Sequence, residues 1–284
     1  MRKESSAIAS ELNPHDVRQL YLDLMKRCLT NSIYGDSEVF PFAPRKNILK
    51  KQMVDFLGRR GFQIVRPVPA DAKKRETGCD RSPIAHTMIG HKRLENIQRC
   101  VEDVILKNVP GDLIETGVWR GGATIFMRAI LLAYDVKDRV VWVADSFEGC
   151  PAPDVKEYPQ DTGDTLHASG ELAVPLERVK ENFERYGLLD GQVRFLAGWF
   201  KDTLPGAPIA KLSVIRLDGD MYGSTMEALV NLYPKLSPGG YVIVDDFGAM
   251  ETCRKAVLDF RRLHGIDDEI VTVDWTGVYW RRQR

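Results

Sequence analysis

The sequence lacks a long run of apolar residues. Its N-terminus leads from Met1 to Pro14 without an apolar core, and the most apolar later stretch, Ile125 to Tyr134, is interrupted by Arg128. A secretory leader and a membrane-spanning helix both need a longer apolar segment. We therefore expect a cytoplasmic protein with no signal peptide and no membrane partner.

The chain also lacks an excess of charge of either sign, because 40 Lys and Arg residues balance 40 Asp and Glu residues. Without a net positive field, little draws the protein to nucleic acid, and a small molecule is the expected partner. The five cysteines show no C-x-x-C spacing, which argues against a disulfide framework and a zinc site. The 284 residues leave room for one α/β domain of roughly 150–200 residues and an accessory segment.

Residues 1–85 form the accessory segment in this interpretation. Apolar residues from Val17 to Cys28 recur at the spacing of an amphipathic helix, one face of which must be packed. Residues 66–83 are polar, basic and rich in proline, which favours a mobile loop that is either a linker or a lid. We predict an N-terminal helical extension with a lid.

Residues 86–284 alternate between strand and helix patterns, beginning with a helix predicted over residues 89–106. The predicted strands are residues 113–118, 140–145, 193–196, 212–217, 241–244, 269–273 and 278–280. This alternation indicates a mostly parallel sheet with helices on both faces. Only four residues separate the last two strands, which requires an antiparallel hairpin. The predicted fold class is α/β, a doubly wound, mostly parallel seven-stranded Rossmann-like sheet of the methyltransferase type.

A glycine-rich turn follows the first strand, with Gly117, Gly121 and Gly122 close together. Glycines at a strand-to-helix turn let the backbone approach a ligand, and the helix N-terminus offers unpaired N–H groups. We expect this turn to hold the amino-acid end of a cofactor. Trp119 stands where a dinucleotide fingerprint has its second glycine, which argues against a nicotinamide cofactor.

The next two strand ends extend this prediction. Asp145 and Ser146 follow the second strand, where the ribose hydroxyls of a nucleotide cofactor lie in this fold class. An aspartate there is alternatively a turn residue. Gly198, Trp199 and Phe200 follow the third strand and offer an aromatic surface for an adenine, although Phe200 suits the core equally well.

Carboxylates follow the fourth and fifth strands, at Asp218, Asp220, Asp245 and Asp246. The carboxyl ends of neighbouring parallel strands line one crevice, so these groups should converge. Two carboxylates about 4 Å apart repel by roughly 4 kcal/mol at an effective dielectric of about 20, which favours a cation or a proton between them. Oxygen ligands suit magnesium. The alternative is that Asp220 and Asp246 merely cap the following helices.

At these residues the chain resembles the macrocin O-methyltransferase family, the magnesium-dependent enzymes that methylate sugars of macrolides and related natural products. The matching motifs run from residue 87 nearly to the end of the chain: Thr87-Met88-Ile89-Gly90 with Arg93-Leu94, Glu115-Thr116-Gly117-Val118-Trp119-Arg120-Gly121-Gly122, Asp145-Ser146-Phe147-Glu148-Gly149, Asp202-Thr203-Leu204-Pro205, Leu217-Asp218-Gly219-Asp220-Met221-Tyr222-Gly223-Ser224-Thr225 and Val244-Asp245-Asp246-Phe247.

The resemblance implies a magnesium- and S-adenosylmethionine-dependent sugar O-methyltransferase in which Asp218, Asp245 and Asp246 bind the metal. With the turn residues above, the predicted cofactor-binding set is Met88, Glu115, Thr116, Gly117, Trp119, Gly121, Asp145, Ser146, Gly198, Trp199 and Asp218. The acceptor it implies is a small-molecule glycoside, and residues 1–85 would help to select it. Contacts between subunits of a homo-oligomer are also expected there.

The predicted mechanism is metal-assisted methyl transfer, with Asp218 and Asp220 as catalytic residues. Magnesium would lower the pKa of a sugar hydroxyl, and Asp220 would accept its proton. His86 and His167 are reserve bases. Three alternatives remain open at this point: a catechol-type phenol as acceptor, a glycosyltransferase that uses Asp218-Gly219-Asp220 as its D-x-D motif, and a non-catalytic binding or scaffold protein.

Overall fold

The structure is a computed structural model that describes residues 14–34, 37–44, 47–80 and 82–283. Its helices are α1 (Pro14–Leu29), α2 (Ile48–Gly58), α3 (Ala72–Thr77), α4 (His91–Leu106), α5 (Gly122–Ala133), α6 (Leu176–Arg185), α7 (Phe200–Thr203), α8 (Tyr222–Leu232) and α9 (Glu251–Leu263). Its strands are β1 (Ser37–Pro41), β2 (Val65–Pro69), β3 (Asp112–Thr116), β4 (Val141–Asp145), β5 (Val193–Ala197), β6 (Leu212–Leu217), β7 (Leu236–Val244), β8 (Val271–Thr272) and β9 (Val278–Arg281).

The main sheet has seven strands in the order β5-β4-β3-β6-β7-β9-β8. Strands β3 to β7 are parallel to one another, whereas β9 is antiparallel to both β7 and β8. The predicted fold class is therefore confirmed. The chain runs outward from β3 to β5 and then crosses to β6, so a crevice opens between the carboxyl ends of β3 and β6.

The hydrophobic core lies on both faces of this sheet. On one face, side chains such as Leu113 and Val143 pack with helices α4 and α5, and on the other, Ile114 and Ile215 pack with α8 and α9. All six residues of β6 are buried, as expected for a central parallel strand covered on both faces. No helix among the described residues is long and apolar enough to cross a membrane.

Several strand boundaries differ from the prediction. The first strand ends at Thr116 because Gly117 has a φ of +82°, and a Cβ there would overlap the backbone carbonyl of Asp218. This close approach of β3 to β6 requires glycine. Strand β7 begins at Leu236, five residues before the predicted start, and the predicted strand over residues 269–273 is reduced to Val271–Thr272.

Helix α1 is present, but its buried face is only partly the predicted one. Leu22, Met25 and Leu29 pack into the core beside α4 and α5. Val17 and Leu20 are more than half exposed. Helix α1 therefore carries apolar residues over a wider face than the one that packs into the core.

The prediction of an unstructured loop over residues 66–83 is wrong. Strand β2 pairs with β1 as an antiparallel hairpin, and α3 follows it, with the Asp71 side chain accepting hydrogen bonds from the backbone of the first turn. Arg75 of α3 is buried, and its guanidinium forms ion pairs with Glu38 (2.6 Å) and Asp80 (2.8 Å). The polar composition that suggested a loop is a network of paired charges, which no local pattern predicts.

The backbone carbonyl group of Thr77, at the end of α3, contacts the α/β domain. The backbone oxygen of Thr77 accepts hydrogen bonds from Arg93 Nη2 (3.2 Å) and from Trp275 Nε1 (2.9 Å). Gly78 follows with a φ of +67°, and a side chain there would collide with the Arg93 guanidinium. The accessory segment is thus hydrogen-bonded to a side chain that also reaches the sheet.

Candidate active site

A cavity of about 330 Å³ opens at the carboxyl ends of the parallel strands. The predicted site residues that line it are Met88, Gly117, Trp119, Asp145, Ser146, Trp199, Asp218 and Asp220. Other predicted site residues lie outside its lining: Glu115, Thr116, Gly121, Gly198, Asp245 and Asp246. The two reserve bases, His86 and His167, do not line the cavity either.

The glycine-rich turn and the end of β4 are joined by the Asp145 carboxylate. One oxygen accepts a hydrogen bond from the backbone N–H of Val118 (2.7 Å), and the other accepts one from Phe147 (2.7 Å). Trp119 then adopts a φ of +48°, and its ring lies at the cavity wall. Asp145 is therefore both a turn residue and a cavity residue, so the two readings of its role are compatible.

None of the residues in one wall of the cavity was among the predicted site residues. Residues 150–172 contribute Cys150, Pro151, Ala152, Asp154, Tyr158, Asp161 and Leu172, and the facing elements add Lys201, Met221, Gly223, Ser224 and Glu227. This segment carries little regular structure, so it shows neither the strand nor the helix spacing that a sequence pattern reveals.

The crevice between β6 and β7 brings the predicted carboxylates together. One oxygen each from Asp218, Asp245 and Asp246 lies within 4.8 Å of the others. The backbone N–H of Asp220 donates to Asp246 Oδ2 at 3.3 Å, so the Asp220 turn lies against the same cluster. Burial and neighbouring carboxylates raise the pKa of Asp246 well above its usual range and that of Asp220 to about 7.

Two buried arginines, both missed as site residues, partly neutralise this cluster. Arg216 of β6 contacts Glu115, Asp218 (2.8 Å) and Asp245, and its side chain is 1% exposed. Arg93 of α4 pairs with Asp245 and with Asp274 (3.1 Å). A charged residue inside an otherwise apolar central strand is the one sequence signal that pointed to Arg216.

Glu115 lies behind the cavity and faces Arg216 across the β3–β6 ladder, where the two residues are partners in register. Burial raises the pKa of Glu115 to about 8, against the opposing effect of the Arg216 charge. Glu115 thus contacts Arg216 and lies outside the lining of the cavity, and its predicted place in the cofactor pocket stays a prediction.

His86 makes a pH dependence of stability testable. Burial, followed by the charge of Arg185, lowers the pKa of His86 to about 4. In the unfolded chain, His86 binds a proton near pH 6.5. The contribution of the neutral His86 to the unfolding free energy is therefore fully present above that pH and is lost as the pH falls towards 4. After allowance for solvent screening, the difference in unfolding free energy between wild type and His86→Gln should shrink by about 1–2 kcal/mol between pH 7 and pH 4.5.

Urea unfolding across this pH range measures the effect of the His86 substitution. The exposed His167, replaced in the same way, is the control, and its curve should stay parallel to that of the wild type. A His86→Gln curve that is also parallel to the wild type would show that His86 does not titrate differently on folding.

Comparison with known proteins agrees with this geometry. Residues 18–282 match the family described as Macrocin-O-methyltransferase (TylF). The 8-demethyl-8-(2,3-dimethoxy-alpha-L-rhamnosyl)-tetracenomycin-C 4'-O-methyltransferase of Streptomyces olivaceus is 54% identical over 267 residues, covering 94% of each chain. The mycinamicin III 3''-O-methyltransferase of Micromonospora griseorubida is 49% identical over 274 residues, covering 95% of this chain and 99% of the relative.

A solved structure shows the same relationship. The O-methyltransferase NovP superimposes with a TM-score of 0.81 at 50% sequence identity, covering 94% of this chain and 100% of that structure. The family match spans the sheet, the glycine-rich turn and the acidic cluster. The chain is an O-methyltransferase and belongs to the macrocin O-methyltransferase family.

Proposed function

We propose that this protein transfers a methyl group from S-adenosylmethionine to a sugar hydroxyl of an uncharged natural-product glycoside, with the help of magnesium. The observation that carries the proposal is the acidic cluster beside the cavity, where oxygens of Asp218, Asp245 and Asp246 lie within 4.8 Å of one another. A site of this kind suits deprotonation of a weakly acidic hydroxyl next to a methyl donor.

The character of the cavity supports S-adenosylmethionine as cofactor. Trp199 and Phe200 offer aromatic surface next to the β5 end, and the Asp145 carboxylate lies at the β4 end. The carboxylates of the lining attract a sulfonium cation more strongly than the neutral product that remains after transfer. The same charge would therefore favour entry of the donor and exit of the product.

The residues of the acidic cluster fit a magnesium ion. Three carboxylates offer the oxygen donors that this hard cation prefers. Arg93 and Arg216 pair with Asp218 and Asp245, whereas neither forms an ion pair with Asp246 within the described chain. Bound there, magnesium would supply positive charge next to two neighbouring sugar oxygens and make their protons more acidic.

Asp220 is the proposed base. Its side chain lines the cavity, and its backbone has a φ of +56°, a left-handed conformation that is uncommon outside glycine. The turn from Asp218 to Asp220 thus separates two roles: Asp218 would contact the metal, and Asp220 would take the hydroxyl proton.

The charge of the lining supports an acceptor without phosphate groups. Lys201 is the single basic side chain among the described residues that line the cavity, which also includes Asp154, Asp161 and Glu227. A nucleotide-linked sugar would bring a diphosphate against these carboxylates, and phosphate recognition normally uses clustered Arg or Lys side chains. The same argument weighs against a glycosyltransferase that binds a sugar nucleotide.

The accessory segment is proposed to help select the acceptor and to contribute subunit contacts. Helix α2 has no buried residue, and its Ile48, Met53 and Phe56 side chains are at least half exposed. An apolar face of this kind is typical of a surface that meets a partner. Sedimentation velocity of wild type and a Met53→Glu, Phe56→Glu variant tests this part separately.

The acceptor class is tested by incubating the protein with S-adenosylmethionine, with magnesium or a chelator, and with one of three acceptors. These are phenyl α-L-rhamnoside, catechol and a nucleoside-diphosphate rhamnose, and mass spectrometry detects the methylated product. We expect magnesium-dependent transfer to the rhamnoside. Transfer to catechol alone would establish the phenol alternative, and full activity in the chelator would remove magnesium from the reaction. No transfer to any of the three acceptors, despite normal binding of S-adenosylhomocysteine, would favour a non-catalytic binding protein.

Replacing Asp246 by asparagine should weaken magnesium binding on the order of 10- to 100-fold, since loss of a residue that only supports a metal ligand already costs this much. Excess magnesium should restore part of the activity, because the substitution leaves the volume of the site unchanged. Calorimetric titration with magnesium measures the affinity, and Glu251→Gln, which removes an exposed carboxylate five residues later, is the control. An unchanged affinity would exclude Asp246 as a ligand.

A further inference from the structure

Asp161 carries a buried carboxylate in the cavity wall formed by residues 150–172, and the proposed reaction gives it no catalytic role. Its side chain accepts hydrogen bonds from the backbone N–H groups of Tyr222 (2.8 Å, to Oδ1) and Gly223 (2.9 Å, to Oδ2). These N–H groups belong to the first turn of α8, whose own N-cap residue, Met221, provides no side-chain cap. Asp161 therefore caps α8 from 61 residues earlier in the chain.

The bond pair joins two functional parts of the cavity. On one side, the segment of residues 150–172 forms one wall of the cavity. On the other side, only Met221 separates Asp218-Gly219-Asp220 from the start of α8. A carboxylate on the free N–H groups of a helix N-terminus is a strong, charge-assisted contact. Its burial, with the Asp161 residue 2% exposed, shields it from solvent.

Neighbouring contacts show how closely the wall fits α8. The Tyr158 ring lies 6.0 Å from the Tyr222 ring, centroid to centroid, and a Cβ at Gly223 would come within 2.6 Å of Tyr158 Cδ2. The far end of the segment is held separately by Trp119 Nε1, which donates to the Glu171 carbonyl at 2.9 Å. Between these two contacts, the buried Asp161 carboxylate hydrogen-bonds the segment to α8.

We propose that Asp161 is a positioning residue that fixes the acceptor side of the cavity to the Asp218–Asp220 turn. Both of its carboxylate oxygens accept hydrogen bonds from the first turn of α8. Its effect is geometric. By holding the first turn of α8, the carboxylate fixes the distance between the wall that confines the acceptor and the turn that carries the proposed base. The inference rests on the proposed function, in which this cavity binds the acceptor.

The direct test compares wild type with Asp161→Ala and Asp161→Asn. Because a small misplacement of reacting groups is costly, kcat/KM for phenyl α-L-rhamnoside should fall about 10- to 100-fold in Asp161→Ala. Affinity for S-adenosylhomocysteine, measured by calorimetry, should stay close to that of the wild type. Asp161→Asn keeps one accepting oxygen and should recover part of the loss, mainly in KM.

Hydrogen exchange separates this inference from the proposed function, because it requires no turnover. Amides of residues 150–170 and of the first turn of α8 should exchange faster in Asp161→Ala than in wild type. The matched control is Asp112→Ala at the opposite end of the sheet, where the carboxylate likewise accepts two hydrogen bonds, from Val140 N and Trp142 Nε1 (both 2.9 Å). That variant should leave exchange in the wall unchanged.

A second variant keeps the test decisive if Asp161→Ala does not fold. Gly223→Ala improves helix propensity, but its methyl group would come within 2.6 Å of Tyr158 Cδ2 and 3.2 Å of Asp161 Oδ2 and so would push the wall away from α8. It should raise KM for the rhamnoside and speed exchange in residues 150–170. Wild-type exchange and kinetics in both Asp161→Asn and Gly223→Ala would overturn the role of Asp161.

Discussion

Replacing Asp220 by asparagine is expected to lower kcat by about 10²- to 10⁴-fold, the usual contribution of a positioned general base. Asparagine has nearly the same volume and retains one carbonyl oxygen, but it does not accept a proton from a hydroxyl at neutral pH. Because Asp220 lies outside the three-carboxylate cluster, affinity for magnesium should change little. The loss should therefore appear in the single-turnover rate and leave binding intact.

The Asp220 measurement is paired with two comparisons. Glu148→Gln removes an exposed carboxylate outside the cavity lining and should have wild-type turnover. Asp218→Asn should lose magnesium affinity as well as activity. If Asp220→Asn were the variant that lost the metal and Asp218→Asn retained it, the two roles assigned to this turn would be reversed.

Replacing Arg216 by methionine is expected to destabilise the protein by about 3–5 kcal/mol, the cost of leaving buried carboxylates without their partner. Methionine fills most of the volume of the aliphatic stem, so the loss reports mainly charge. Arg216 contacts three carboxylates, on Glu115, Asp218 and Asp245. Glu115 is only 1% exposed, so water does not replace the arginine as its partner.

Urea unfolding measures the Arg216 effect, with Arg128→Met as the matched control. Arg128 is also buried, but Asp190, its ion-pair partner among the described residues, is 42% exposed and regains water when unpaired. The control should therefore lose clearly less stability. Added magnesium should recover part of the loss in Arg216→Met, because an ion that binds only the folded state stabilises it. Equal losses in the two arginine variants would contradict a special role for Arg216 in holding the cluster.

The parts of this protein that could be predicted from sequence are those with local patterns. Each parallel strand is a short apolar run that ends in a glycine or a carboxylate, as at Gly117, Asp145 and Asp218, and the topology brings such ends together. The convergence of the acidic residues follows from that rule. The glycine-rich turn was located for the same reason.

What could not be predicted depends on partners that are distant in sequence. Arg216 and Glu115 are 101 residues apart, and Asp161 lies 61 residues from the helix turn that it caps. The β1–β2 hairpin and α3 are stabilised by the ion pairs of Arg75, and the same composition without those pairs is typical of a loop. In each case a charged side chain is buried. Its burial is a tertiary effect, since it depends on the partner that the fold places next to it.

The two hydrogen bonds that converge on the Thr77 carbonyl limit where the accessory segment can be exchanged for that of a relative. Arg93, one of the two donors, also pairs with Asp245. The backbone at residue 77 therefore contacts a side chain that supports the acidic cluster. A chimera cut at residue 85 would import a foreign segment at this point and disturb both. A junction placed before Asp71 keeps α3 and the contact to Arg93 in the recipient, but it places Arg75 and Glu38 on opposite sides of the cut, so the imported hairpin must also carry an acidic residue at position 38.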